Sequence, residues 1–208
     1  MMDLAVDQQD ALVEICNVGM SKAAKQLSVL LNAHINIIIP KINLIGMNDF
    51  IANNKFSSDE IVSCVHQAVS KDLLGSILLV YRREHAALLA HSVIGKTPKL
   101  TEAETRACEQ EAVLEIGNIM ITSCMCAIVN MLSIQINLDL PRYSEGTIIQ
   151  AIESQVHDVE KTSEEIILIT TKLESSGNQI SGYIVLILTK QSIDNLLQST
   201  DQLLKTSE

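Results

Sequence analysis

Residues 10–40, DALVEICNVGMSKAAKQLSVLLNAHINIIIP, occur a second time as residues 111–141, EAVLEIGNIMITSCMCAIVNMLSIQINLDLP. An offset of 101 carries Ala11, Glu14, Ile15, Asn17, Leu31, Ile35, Asn36 and Pro40 onto Ala112, Glu115, Ile116, Asn118, Leu132, Ile136, Asn137 and Pro141 without a gap. That period is far longer than a solenoid unit, so the chain reads as a duplicated half with pseudo-twofold symmetry.

Each copy begins as a helix and ends as a strand. Apolar residues at 12, 15, 16, 20, 23, 24, 27, 30 and 31 follow the i, i+3, i+4, i+7 spacing of an amphipathic helix over 6–32, closed by Asn32 and the polar His34. The β-branched run INIIIPKINLIG follows, with Pro40 inside it. Proline donates no ladder hydrogen bond, so it belongs at a sheet edge or at a bend between two short strands. The second copy predicts a long helix over 102–132 and a strand over 135–140 ending at Pro141.

Between the copies, 48–59 reads as a polar loop, 61–68 and 75–81 as strands and 84–94 as a helix. Residues 95–104, GKTPKLTEAE, supply a Gly, a Pro and a Thr cap with Glu102 and Glu104 in the first turn. The join between halves is expected there, giving one domain of two fused repeats, about 1–97 and 98–208. A segment at 147–152 precedes a strand at 165–171, a tight turn at 175–178, a strand at 179–188 and a helix at 191–204. The predicted fold class is α+β: strands of both halves in one antiparallel sheet, with the two long helices side by side.

Composition narrows the function classes. With 47% hydrophobic residues, 2% aromatic and no Trp, the core is aliphatic and offers few platforms for base stacking. A net charge of −10 and no Lys/Arg cluster argue against nucleic acid and against an anionic membrane surface. Five scattered cysteines read as reduced thiols of a cytoplasmic protein. Cys124 and Cys126 point to different faces, lack a nearby His for a zinc site, and read as buried small hydrophobes. The opening MMDLAVDQQD lacks the basic and apolar regions of a signal peptide. Residues 114–132 are the most membrane-like window, but Glu115, Asn118 and Asn130 within it favour a buried helix over a membrane span. There is no Gly-rich phosphate loop, and the five His are dispersed, so no metal or cofactor of its own is expected.

Asp10, Glu14 and Asn17 stand at i, i+4 and i+7, within roughly 60° of arc on one helix face, and Glu111, Glu115 and Asn118 repeat that spacing. The apolar stripe takes the other side, so each helix is expected to turn an acid and an amide to solvent. Most exposed substitutions cost within about 0.5 kcal/mol, and Asn is a mediocre helix former. Stability therefore gives little reason for keeping the pair twice. A carboxamide can orient a water through one donor and one acceptor, and a carboxylate one turn earlier can pair with a cation on a partner.

The residues Glu-x-x-Asn, followed after 22 residues by Pro and preceded by Asp or Ser four residues before the Glu, resemble the motif of the CheC/CheX/FliY family of chemotaxis phosphatases. The first copy fits at Asp10, Glu14, Asn17 and Pro40; the second fits at Glu115, Asn118 and Pro141, with Glu111 where the family has Asp or Ser. Two copies resemble the CheC branch. The resemblance implies hydrolysis of the phospho-aspartate of a CheY-type response regulator, with Asn17 and Asn118 orienting water and Glu14 and Glu115 pairing with the receiver's Lys. Asp10 and Glu111 would support them, while Pro40 and Pro141 would bend a strand behind the helix. Any Mg²⁺ would belong to the receiver, where catalysis is positioning plus electrostatics. The family also implies CheD, a receptor deamidase, as a partner, although no residue here matches that contact. The rival reading is a non-catalytic module that sequesters a phosphorylated receiver or a CheD-type deamidase.

Overall fold

The computed structural model describes residues 4–53, 56–57, 59–94, 101–156, 165–175 and 178–206. The first half contains α1 (Val6–Leu30), β1 (Ile35–Gly46), α2 (Met47–Asn53), β2 (Ile61–Lys71), β3 (Gly75–Arg82) and α3 (Arg83–Ile94). The second contains α4 (Glu102–Leu132), β4 (Ile136–Leu138), β5 (Arg142–Thr147), α5 (Ile148–Val156), β6 (Glu165–Ser175), β7 (Asn178–Leu188) and α6 (Lys190–Thr206). With β4 and β5 standing for one interrupted strand, the order α-β-α-β-β-α occurs twice.

Local chemistry accounts for the helix ends. Thr101 Oγ1 accepts from Glu104 N at 3.3 Å while the Glu104 carboxylate accepts from Thr101 N at 2.8 Å, a capping box that starts α4. Those bonds from Thr101 hold the Glu104 carboxyl below its usual value. Just past α1, Asn32 takes φ 45°, and its counterpart Ser133 takes φ 54° just past α4. Both copies thus stop their long helix with one left-handed residue, a position short polar side chains tolerate better than branched ones.

The sheet is antiparallel throughout, in the order β1-β6-β7-β3-β2-β4, with β5 also paired to β2. Exchanging the halves leaves this order unchanged when read from the other end. The pairing also crosses between halves: β1 of the first lies on β6 of the second, and β4 and β5 of the second lie on β2 of the first. Each half therefore lends its edge strand to the other.

Both faces of the sheet centre are covered. On one side Ile77, Leu79, Tyr81, Ile184 and Leu186 pack with buried residues of α1, α4, α3 and α6. On the other, Leu78, Val80, Val185 and Ile187 pack with Phe50 of α2 and with Ile148 and Ile152 of α5. This explains why β3 is buried without alternation from Gly75 to Tyr81. The second layer corrects the sequence reading. The expected loop over 48–59 contains a helical turn that seats Phe50 at 3% exposure, and the 147–152 segment opens a helix whose Ile148, Ala151 and Ile152 form an i, i+3, i+4 stripe. Both helices are too short for a helical period to stand out, and α2 seats Phe50 in the core with Met47 packed against the same cluster. The 95–100 join and the centre of the 175–178 turn lie outside the described residues.

Helices α1 and α4 lie against each other. Their closeness requires Gly19: a Cβ there would stand 2.5 Å from the Ser123 carbonyl oxygen. Cys16 and Cys124 meet at this seam, Sγ to Sγ 3.6 Å, and the Cys124 contact together with burial pushes the Cys16 thiol up. Cys124 is buried but Cys126 is exposed, contrary to the expectation that both fill the core. An i, i+2 pair on a helix cannot share a face. By length and composition α4 could cross a bilayer, yet 56% of its most apolar window is buried inside the fold, the environment of a core helix.

Candidate functional site

Each edge strand carries a bulge at its proline, and each motif helix lies over one. On β1, Ile38 is opposite Lys172 and Lys41 opposite Thr170, so Ile39 and Pro40 together face Thr171. On the other edge, Leu138 is opposite Val69 and Arg142 opposite His66, so Asp139, Leu140 and Pro141 face only Ala68 and Gln67. One extra residue in each edge strand releases backbone groups from the ladder.

In the first copy the released backbone is taken by Asn17. Its Nδ2 donates to Ile39 O at 3.1 Å and to Val13 O at 2.9 Å, while its Oδ1 accepts from Ile39 N at 2.8 Å. The carboxamide thus behaves as one more strand residue, clamping α1 to β1 where Ile39 is 1% exposed. Sequence spacing put this amide in open solvent; the structure turns it toward the strand. Both N–H groups are spent.

The second copy differs. Asn118 Oδ1 is approached by Thr122 Oγ1 at 3.4 Å and by Gln67 Nε2 at 3.5 Å, both long, and its Nδ2 donates to no described residue. Here the sheet itself reaches the bulge: Gln67 Nε2 donates at 2.9 Å to the carbonyl of Asp139, the counterpart of Ile38. Leu140, the counterpart of Ile39, is 84% exposed. Gln67 was not singled out from sequence. Its signal was there, since a polar residue at the buried parity of β2 between Val65 and Val69 needs a hydrogen-bond partner.

The four carboxylates behave as their spacing predicts. Asp10, Glu14, Glu111 and Glu115 are exposed, and none forms an ion pair or side-chain hydrogen bond with another described residue. Beside Glu14 a cleft of about 620 Å³ is bounded by Asp7, Asp10, Met131 and Leu203. Near the second amide a cleft of about 610 Å³ runs past His66, Asp139, Leu140 and Arg142. There burial, and after it the Arg142 charge, lowers the His66 pKa and favours its neutral form. The structure thus brings each Glu-Asn pair to one helix face beside a proline bulge, but leaves the two amides in different bonding states.

No family model matches the sequence. Over 175 residues, 83% of this chain and 83% of the relative, it is 21% identical to the CheY-P phosphatase CheC of Bacillus subtilis (strain 168). Over 140 residues it is 28% identical to the flagellar motor switch phosphatase FliY of the same strain, covering 67% of this chain but 36% of that protein. The X-ray structure of Thermotoga maritima FliY superposes with a TM-score of 0.73 at 21% identity, covering 96% of this chain and 98% of the other, which shows a shared fold.

Proposed function

The chain is a protein of the CheC/FliY type, and on that premise we propose that it hydrolyses the phospho-aspartate of a CheY-type receiver. The observation that carries this is the exposed carboxylate one turn before a carboxamide, presented twice at pseudo-equivalent positions on paired helices. Three residues of helix rise separate Glu from Asn by about 4.5 Å along the axis. A Glu paired with the receiver's Lys therefore sets the Asn over the acyl phosphate. The amide orients a water in line with the bond to be broken. Its oxygen attacks phosphorus, the P–O bond to the aspartyl carbonyl carbon's oxygen breaks, the aspartate leaves as a carboxylate, and the water's protons pass to the released phosphate and solvent. Any Mg²⁺ sits on the receiver, so this chain contributes position and dipoles rather than a nucleophile.

The test is the decay of a phosphorylated CheY-type receiver, with Mg²⁺, alone and with wild type, Asn17→Ala, Asn118→Ala or the double variant. Wild type accelerates decay, and the double variant loses about 10²-fold of that acceleration, the scale of one preorganised hydrogen-bonding group. An unchanged rate with wild type removes the phosphatase reading. One observation favours a second reading for the first site alone: with both Asn17 N–H groups bonded to backbone, that face suits docking without hydrolysis. In that case Glu14→Ala weakens receiver binding while Asn17→Ala leaves the maximal rate as it was.

A further inference from the structure

From the unequal bonding of the two amides we infer that Gln67 is a positioning residue for the second site, holding the bulge so that Asn118 is left free to orient water; this rests on the phosphatase reading above. The two edge strands pose the same problem. Each bulge leaves backbone groups without ladder partners, and buried polar groups must be satisfied. On the β1 edge the residue facing the bulge is Thr171, whose short, buried hydroxyl makes no hydrogen bond to the bulge among the described residues. Ile39 of the bulge is bonded instead by Asn17 from the helix above, at the cost of its Oδ1 and one N–H, while Val13 O of the same helix takes the other N–H. On the opposite edge, Gln67 occupies the position equivalent to Thr171, opposite Leu140 and Pro141.

Two methylenes let its amide reach the Asp139 carbonyl at 2.9 Å, and the same Nε2 lies 3.5 Å from Asn118 Oδ1. Gln67 thus ties the bulge to β2 at Asp139, the counterpart of Ile38, while the counterpart of Ile39, Leu140, is 84% exposed; Gln67 faces Asn118 from the oxygen side, leaving Nδ2 without a partner among the described residues. Gln67 is 3% exposed, and its Oε1 has no partner among the described residues. That acceptor is available to a water held between the two amides. Glutamine on β2 against threonine on β6 is thus a difference in the underlying sheet that accompanies the unequal bonding of the two amides.

The first test is structural: proton exchange of the side-chain amides of the wild-type protein, by ¹⁵N NMR. The Asn17 NH₂ exchanges at least about tenfold more slowly than that of Asn118, because it is closed by two hydrogen bonds. Equal exchange overturns the inference without reference to activity. The second test is a double-mutant cycle on receiver dephosphorylation, with Gln67→Thr copying the other edge. Gln67→Thr lowers the maximal rate about tenfold with little change in the half-saturating receiver concentration. In an Asn118→Ala background it lowers the rate no further. A loss of equal size in both backgrounds, or no loss in either, overturns the positioning role alone. A wild type that never accelerates decay overturns the phosphatase reading and this one with it. Should Gln67→Thr fail to fold, as judged by its urea transition, the wild-type exchange comparison still decides.

Discussion

At the scale of single residues, the two asparagines share spacing and helix face but not work. Asn17 serves both the N–H and the C=O of Ile39, a residue 1% exposed. Asn17→Ala leaves those groups without partners, at about 1–3 kcal/mol for each buried group left unpaired. The expected loss is about 2–3 kcal/mol, read as a lower urea midpoint with an unchanged slope. Asn118→Ala removes only two long contacts and is expected to cost less than about 1 kcal/mol. Equal losses would show that the clamp on β1 is not carrying strand and helix together. The acids belong to a different account: they are exposed and unpaired within the described residues, so their value lies in what they meet outside the molecule.

At the scale of elements, polar clusters fasten helices whose apolar seams leave their ends unspecified. Glu145 on β5 takes Arg106 of α4 at 2.7 Å, Arg83 of α3 at 3.8 Å and the Tyr143 hydroxyl at 2.6 Å. Burial acts to raise its pKa, but the Tyr143 hydroxyl and the Arg106 and Arg83 guanidiniums outweigh it and hold the carboxyl below its ordinary 4.5. A group lowered on folding adds stability above its unfolded pKa and loses it as pH falls through the folded value. The expectation is a urea midpoint that falls with pH below about 4.5, with Glu145→Gln reducing that fall. A variant with the wild-type pH slope would mean that Glu145 does not tie α3 and α4 to β5. The contribution is modest above that window, because both arginines are largely exposed and solvent screens such pairs.

At the scale of the whole molecule, the exchange of edge strands makes the halves interdependent. Without the second half, β2 lacks β4 and β5, β1 lacks β6, and α1 lacks the face of α4 that covers Leu12, Ile15 and Met20. Fragments 1–97 and 98–208 are each expected to lack a two-state urea transition, and to recover one when mixed as a 1:1 complex by size-exclusion chromatography. A fragment that is a folded monomer alone would contradict the exchange. The sequence by itself determined the repeat, the long helices, most of the strands, the capped start of α4 and the Glu-Asn faces, because periodicity, caps and spacing act within a few residues. It missed α2 and α5, which at 7 and 9 residues are too short for a helical period to stand out. Only the tertiary structure decided which half each edge strand joins, that Asn17 is closed onto Ile39 across 22 residues of chain, and that Gln67 meets Asp139 across 72. Those hydrogen bonds exist only once the sheet has formed and its bulges have left backbone groups to be satisfied, and nothing in the local spacing of either amide encodes which partner it will find.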